Sequence, residues 1–255
     1  MSRLVRTLAQ EVATTFRRPG RLKAIFVPSR IGRYTRFLLL QWRAGGDWKA
    51  DKGGTASKSF VSYQEYLDVQ KSKLEYLDLS AHEAKFRRVL GERLSQMDHE
   101  FHGARVLCLG ARLGAEVAAF RDRGAFAVGV DLNPGAENPW VLHGDFHALA
   151  YPDGVVDFLY TNSLDHSFDL PKVIAEVLRV LSDGGRFIVE ADPGVEDEKG
   201  VTPDLWASYQ WPTIDALASE ICKLGFVLDS RQNFGYPRDG TCLVFAKSSV
   251  EQRSP

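Results

Sequence analysis

Cysteine is scarce in this chain: Cys108, Cys222 and Cys242 are the only three in 255 residues, widely separated and each set in an apolar run. An odd, scattered set excludes a disulfide framework and a clustered thiolate metal site. It fits reduced, buried thiols in a cytosolic protein. No apolar run reaches the length needed to cross a bilayer. The N-terminus lacks the apolar core and cleavage site of a secretion signal; its Arg-rich, Thr-containing start (Arg3 to Arg18) is only weakly similar to an organelle transit peptide. Net charge is also nearly absent, at −1, but that figure hides an asymmetry. Residues 1–60 hold 13 Lys and Arg against Glu11, Asp47 and Asp51, which leaves 19 bases and 30 acids for the rest. The basic segment is expected to meet something anionic, such as a membrane surface, a phosphorylated substrate or the acidic part of the chain. Within it, Ile31 to Trp42 reads as a basic amphipathic helix, which would lie on a membrane or pack on the main domain. Gly45-Gly46 and Asp51 to Ser57 read as loop.

Hydrophobic content of 44% and charged content of 25% are ordinary for a globular protein with a sizeable core. Apolar spacing predicts two helices between Tyr63 and Leu94. Beyond them, strand-like runs at 105–109, 126–130, 140–143, 155–161, 185–190, 225–231 and 241–247 alternate with helical segments near 114–123, 171–181 and 213–224. This alternation predicts a doubly wound, seven-stranded, mostly parallel α/β sheet. The last two runs are joined by a link too short for a helical crossover, so the sheet should end in an antiparallel hairpin. The expected organisation is a basic N-terminal extension over 1–60 and a larger domain over 61–250, with leading helices at 61–100 and the core sheet at 105–247.

The chemistry concentrates in residues 105–131. The run Val106 to Leu109 ends in the turn Gly110-Ala111-Arg112-Leu113-Gly114, and a second apolar run stops at Asp131. Glycines allow a tight turn and close approach to a ligand, and a carboxylate at the end of the second strand can accept from ribose hydroxyls. Arg112 stands where a dinucleotide fingerprint has the glycine that admits a pyrophosphate, which argues against such a ligand.

Five stretches, in order, resemble the class I S-adenosylmethionine-dependent methyltransferases over roughly residues 80–247. They are Val106 to Gly114, Val130-Asp131, Gly144-Asp145-Phe146, Asp157 to Asp165, and Val173 to Glu190 with its Gly184-Gly185. The resemblance implies a Rossmann-like methyltransferase fold and S-adenosyl-L-methionine as cofactor. Its binding would fall to Gly110, Ala111, Arg112 and Gly114 in the turn, Asp131 and Leu132 at the ribose, and Asp145, Phe146 and His147 near the adenine, with Asn162 by the active-site loop. The family usually has an acid where Cys108 sits. Glu116 is a candidate replacement toward the methionine amino group, or simply an acid favoured in a first helical turn. Arg112 could reach the methionine carboxylate.

For an acceptor hydroxyl a base is needed, and His166 is the expected one, with Asp165 beside it in sequence. A hydrogen-bonding role for His166 near the following helix is the competing expectation; His147 could frame the cofactor or do chemistry, and His143 is expected to be structural. Loop acids Asp165, Asp169 and Asp192 with Asn162 could hold magnesium, but no metal is assigned. Trp206, Tyr209 and Trp211 would wall a substrate pocket or pack under a loop. The favoured function is O-methylation of a small molecule or of a glycan or glycolipid sugar, in the cytoplasm, with residues 1–60 allowing contact with an anionic membrane. The alternatives are a non-catalytic binding protein of the same fold and a nucleic-acid methyltransferase. The last is opposed by the acidic catalytic half and by the lack of a Pro-Pro-aromatic sequence after Asn162. Oligomeric state is not legible.

Overall fold

In the computed structural model the described residues are 48–248, apart from 52–53, 73–79, 202 and 204–205, together with 32 and 35. The expected amphipathic helix at Ile31 to Trp42 and most of the basic extension lie outside them.

A seven-stranded sheet forms the centre. Its strands are β3 (Arg105–Leu109), β4 (Phe126–Asp131), β5 (Val141–His143), β6 (Val156–Thr161), β7 (Leu181–Ala191), β9 (Phe226–Phe234) and β10 (Gly240–Lys247). They are ordered β5-β4-β3-β6-β7-β10-β9. The first five are parallel, whereas β10 runs antiparallel between β7 and β9. This is the architecture expected from sequence, hairpin included. β7 starts at Leu181, earlier than the predicted 185, because the segment containing Ser182 to Gly185 continues the strand directly from the preceding helix.

Alternation along the strands builds two apolar layers. Val106 and Cys108 face helices α2 (Ser80–Leu94) and α3 (Ala115–Arg121), while Leu107 and Leu109 face α4 (Leu170–Val180) and α5 (Ile214–Lys223). A two-residue strand period against helices on both faces gives near-continuous apolar strands, as parallel sheets require. In α4, Leu170, Val173, Ile174, Val177 and Val180 are buried, an i, i+3, i+4 stripe. The helix starts where Asp169 accepts the Lys172 N–H at 3.1 Å, so Asp169 has a capping role.

A second, three-stranded sheet was not legible in sequence. It comprises β1 (Trp48–Ala50), β2 (Ala56–Lys58) and β8 (Tyr209–Gln210). β1 and β2 pair antiparallel, and Ala56 and Ser57 pair with Gln210 and Tyr209. The expected loop from Asp51 to Ser57 is corrected at its end, where Ala56 and Ser57 belong to β2. Part of the N-terminal segment is bound by strand pairing to the region after β7.

Helix α1 (Tyr63–Lys71) follows. Ser62 accepts the Glu65 N–H at 3.2 Å, and the Glu65 carboxylate accepts the Val61 N–H at 2.6 Å, a reciprocal cap that starts the helix there. Tyr66 is completely buried in this helix. Its hydroxyl donates to the His166 carbonyl at 3.0 Å, and the Gln70 amide donates to the Trp206 carbonyl at 2.8 Å. α1 is thus fastened across the carboxyl ends of the central strands.

Candidate active site

The strand order reverses between β3 and β6, and ligands of open α/β sheets bind in the crevice at the carboxyl ends of strands at such a reversal. A cleft of about 470 Å³, open to solvent, lies there. Its floor is Gly110 and Arg112 after β3, Asp131 to Asn133 after β4, Phe146 after β5, and Ser163 and His166 after β6; Tyr66 and Gln70 of α1 roof it.

Each wall has a local cause. Gly110 adopts a φ of 67°, and a Cβ there would come within 2.7 Å of the Ser163 side chain, so the turn needs glycine. Arg112 is also left-handed, at φ 46°, a conformation that costs a side-chain-bearing residue and that glycine adopts freely. What holds it is Asp131: one carboxylate oxygen accepts the Arg112 N–H at 2.9 Å and the other the Asn133 N–H at 2.7 Å. Each carboxylate oxygen has a further lone pair, so Asp131 can organise both turns and still accept from a ligand in the cleft. Asn133 in turn donates to the Lys71 carbonyl at 2.7 Å, which joins this turn to the end of α1.

The methionine end expected from sequence is buried beneath the glycine turn. Glu116 is buried in the first turn of α3, and its carboxyl accepts from the Asn162 amide at 3.0 Å. Burial pushes that carboxyl up to about 8, with Glu83 adding in the same direction and Arg112 and Asn162 opposing. Cys108 is fully buried below, its thiol raised by burial and by Glu116. Glu83 of α2 accepts the Ala115 N–H at 3.1 Å and so fixes the start of α3. Asn162 therefore bridges β6 to α3, and its carbonyl accepts the Ser163 hydroxyl at 3.0 Å.

Near the expected adenine side, Asp145 is already heavily engaged. It accepts the Tyr63 hydroxyl, the His147 N–H at 2.9 Å and the His147 ring at 2.8 Å. Burial works to raise its carboxyl, but the bonds from His147 and Tyr63 outweigh it and hold it at about 2. His147 Nε2 accepts the Phe168 N–H at 3.0 Å, so the ring proton sits on Nδ1, toward Asp145. With both nitrogens committed, His147 fastens the β5 turn to the loop before α4 and has no lone pair for catalysis. Around it Tyr63, Tyr66 and Phe168 pack with ring centroids 5.1–5.7 Å apart.

His166 ends a one-turn 3₁₀ helix, Leu164–His166, directly after β6. Its Nδ1 lies 3.2 Å from the Trp206 carbonyl, which puts the proton on Nδ1 and the lone pair on Nε2. The Asp165 carboxylate is 3.7 Å from Nε2, too far for a hydrogen bond. Asp165 and His166 face different spaces: His166 lines the cleft, and Asp165 lines a second cavity of about 400 Å³ between β7, β8 and the hairpin.

The structure thus brings Gly110, Arg112, Asp131, Leu132, Phe146 and His166 together on one cleft. Ala111, Gly114, Glu116, Asp145, His147 and Asn162 do not line it. Ala111 is buried, and its N–H goes to the Val130 carbonyl at 3.3 Å. His143 is exposed on edge strand β5. Of the magnesium candidates, Asp169 caps α4 and Asp192 pairs with Arg238 at 2.8 Å. Tyr209 and Trp211 do wall a cavity, the second one, whereas Trp206 is buried and presents its carbonyl to His166 and Gln70. Sequence reasoning missed Tyr63, Tyr66, Gln70, Asn133 and Ser163. The one available signal was the i, i+4 pair Tyr66 and Gln70 on a helix leading into the glycine unit.

A doubly wound sheet of this strand order, with Asp131 ending the second parallel strand and with a terminal antiparallel hairpin, is the architecture that the resemblance led one to expect. Residues 107–189 match the methyltransferase domain family model. Malonyl-[acyl-carrier protein] O-methyltransferase of Serratia marcescens is 30% identical over 112 residues, 40% of this chain and 44% of that protein. The chain thus aligns with less than half the length of that curated relative. Among solved structures, 1,6-didemethyltoxoflavin-N1-methyltransferase of Burkholderia thailandensis, with 1,6-didemethyltoxoflavin and S-adenosylhomocysteine bound, matches at a TM-score of 0.57 and 18% identity. That match covers 80% of this chain and 100% of that one. The PH0226 protein of Pyrococcus horikoshii matches at 0.53 and 20%, over 73% of this chain and 100% of that one. The chain thus resembles the methyltransferases in its domain match over 107–189 and in its fold.

Proposed function

We propose that this protein transfers a methyl group from S-adenosylmethionine to a small-molecule acceptor. The observation that carries this reading is the cleft at the strand-order reversal. There Asp131 fixes the turns on both sides and Gly110 lets the backbone approach a ligand. The residues present fit the cofactor. Asp131 would take the ribose hydroxyls, Leu132 and Phe146 the adenine faces, Arg112 the methionine carboxylate, and Glu116 with Asn162 the methionine ammonium. When bound, the cofactor supplies an electrophilic methyl on a sulfonium, so alignment supplies most of what the protein must add.

His166 is proposed as the base that takes a proton from an acceptor hydroxyl at Nε2, while the Trp206 carbonyl keeps Nδ1 protonated. Asp145 and His147 support the adenine side through Tyr63 and the β5 turn rather than by chemistry. The catalytic domain is taken to begin at β1, since β2 pairs with β8. Among the described residues no helix is long and apolar enough to cross a membrane. Contact of residues 1–60 with an anionic membrane and a sugar acceptor belong to the proposal only as extensions, supported by the basic composition. Calorimetry of the full chain with S-adenosylhomocysteine tests the core of it: saturable one-to-one binding is expected, and a folded chain that binds none would overturn it.

A further inference from the structure

The methyltransferase domain match covers residues 107–189, yet the surroundings of His166 are completed from outside that stretch, by α1 and by the segment Trp206–Ser208. Acceptors stand on both sides of the His166 ring. The Trp206 carbonyl lies 3.2 Å from Nδ1, and the Asp165 carboxylate lies 3.7 Å from Nε2. A neutral ring has one proton to give. On Nδ1 it leaves the Nε2 lone pair for an acceptor hydroxyl; on Nε2 it would turn toward Asp165 and that lone pair would be gone. A carboxylate attracts a ring N–H more strongly than a carbonyl does, so the carbonyl prevails by position. The margin is narrow. At 3.2 Å the Nδ1 contact stands at the long end of the hydrogen-bond range, and a drift of about half an ångström ends it.

Gln70 fixes that carbonyl. Its amide nitrogen donates to the Trp206 carbonyl at 2.8 Å and to the Ser208 hydroxyl at 3.1 Å. A carbonyl oxygen has two lone pairs, which lets Trp206 accept from Gln70 and His166 together. The Ser208 N–H donates to the Asp165 carbonyl at 2.7 Å and so ties the far end of the segment to the 3₁₀ turn. Trp206 and Ser208 are buried, where such bonds are little weakened by water. Tyr66, one helical turn before Gln70, donates to the His166 carbonyl at 3.0 Å. Helix α1 thus holds the backbone of His166 through Tyr66 and the acceptor of its ring proton through Gln70.

We infer that Gln70 is a positioning residue for His166: by holding the Trp206 carbonyl it keeps the ring proton on Nδ1 against the pull of Asp165. The inference rests on the proposed role of His166 as base, and it adds what keeps that base in its reactive tautomer. Gln70 itself passes no proton.

The test reads the tautomer directly, by long-range proton–nitrogen correlation NMR of the imidazole rings in the isotope-labelled full chain at pH 8.5, above the ordinary histidine range. The His166 signals are those missing from His166→Ala. In the unmodified chain the proton is expected on Nδ1. Gln70→Met has a side chain of similar length and no donor. It should move the ratio of Nδ1–H to Nε2–H toward Nε2 by about tenfold, the scale of one hydrogen bond between neutral groups. Adding Asp165→Asn to Gln70→Met should return the ratio toward Nδ1, which a merely structural role for Gln70 would not produce. A ratio in Gln70→Met within about twofold of the unmodified chain overturns the inference, and so does a shift that Asp165→Asn leaves in place. A proton on Nε2 in the unmodified chain would instead remove His166 as the proposed base, whatever Gln70 does, so the two failures are distinguishable. Should Gln70→Met not fold, Gln70→Asn, one methylene too short to reach Trp206, decides the same question.

Discussion

Replacing Glu116 by glutamine should make the stability of the protein less dependent on pH, with a sign that follows from burial. The Glu116 carboxyl is raised from an ordinary value of 4.5 to about 8, first by burial and further by Glu83, against the opposing pull of its own backbone N–H, Arg112 and Asn162. The unfolded chain gives up this proton near 4.5, whereas the folded chain keeps it until about 8. Between those limits the folded state binds the extra proton. Its contribution is therefore fully present below the unfolded value and is lost as pH rises through the folded one. The slope is about 1.4 kcal/mol per pH unit, so between pH 5 and 8 the unmodified chain should lose roughly 4 kcal/mol relative to Glu116→Gln. Glutamine keeps the oxygen that accepts from Asn162 and cannot ionise. For a chain of this size the loss corresponds to a relative fall in Tm of about 8–16 °C.

The assay is urea unfolding of both proteins at half-unit steps from pH 4.5 to 8.5, without cofactor, taking the difference at each pH so that all other titrating groups cancel. A difference that stays flat refutes the reasoning. A difference of opposite slope would mean that Arg112 pairs with an ionised Glu116 strongly enough to reverse the effect of burial. Repeating the series with saturating S-adenosylhomocysteine should flatten the slope, because an ammonium beside Glu116 favours its charged form.

Three further outcomes follow from the same geometry. Asp131→Ala removes the acceptor of the Arg112 and Asn133 N–H groups and should weaken S-adenosylhomocysteine binding by at least about thirtyfold in calorimetry, the scale of one lost hydrogen bond to a charged group. His166→Ala should lower turnover by about 10²-fold or more with cofactor affinity within about twofold, and unchanged turnover would remove His166 as the base. Arg93→Ala leaves Glu190, whose side chain is only 2% exposed, without the guanidinium that meets it at 2.6 Å; urea unfolding should show a loss of about 3–5 kcal/mol, and a loss under 1 would contradict a buried pair.

The central sheet was legible because its strands are apolar runs of strand length separated by helical periods, and because a short link forces the last two strands to pair. Strands β1, β2 and β8 were not, since segments of two or three residues carry no periodicity, and β2 finds its partner about 150 positions away. The site divides along the same line. Residues on turns after strand ends, from Gly110 to Asp131 to His166, could be placed because topology alone puts such turns at the crevice. Tyr66 and Gln70 could not, because helical spacing identifies a buried face without saying what it covers. His147 shows the limit most clearly: its position was readable, but only the Phe168 N–H on one ring nitrogen and Asp145 on the other decide that it binds and does not react.

The departures from the family pattern at 108, 112 and 116 make sense as one rearrangement. Cys108 points into the layer beneath α2 and α3, where it is entirely buried, and a carboxylate there would need its own donors. Glu116 brings the acid from the opposite side, off the first turn of α3, with the Asn162 amide as donor and the positive end of the helix to offset part of the cost. That leaves the acid buried, with its carboxyl raised. Arg112, held left-handed by Asp131, supplies a positive charge near enough to Glu116 to oppose the rise of its carboxyl. On the proposed function, a carboxyl that ionises on meeting an ammonium and a guanidinium placed for a carboxylate would together define a zwitterionic end. Such a pairing would separate an amino-acid-bearing nucleoside from a dinucleotide in this cleft.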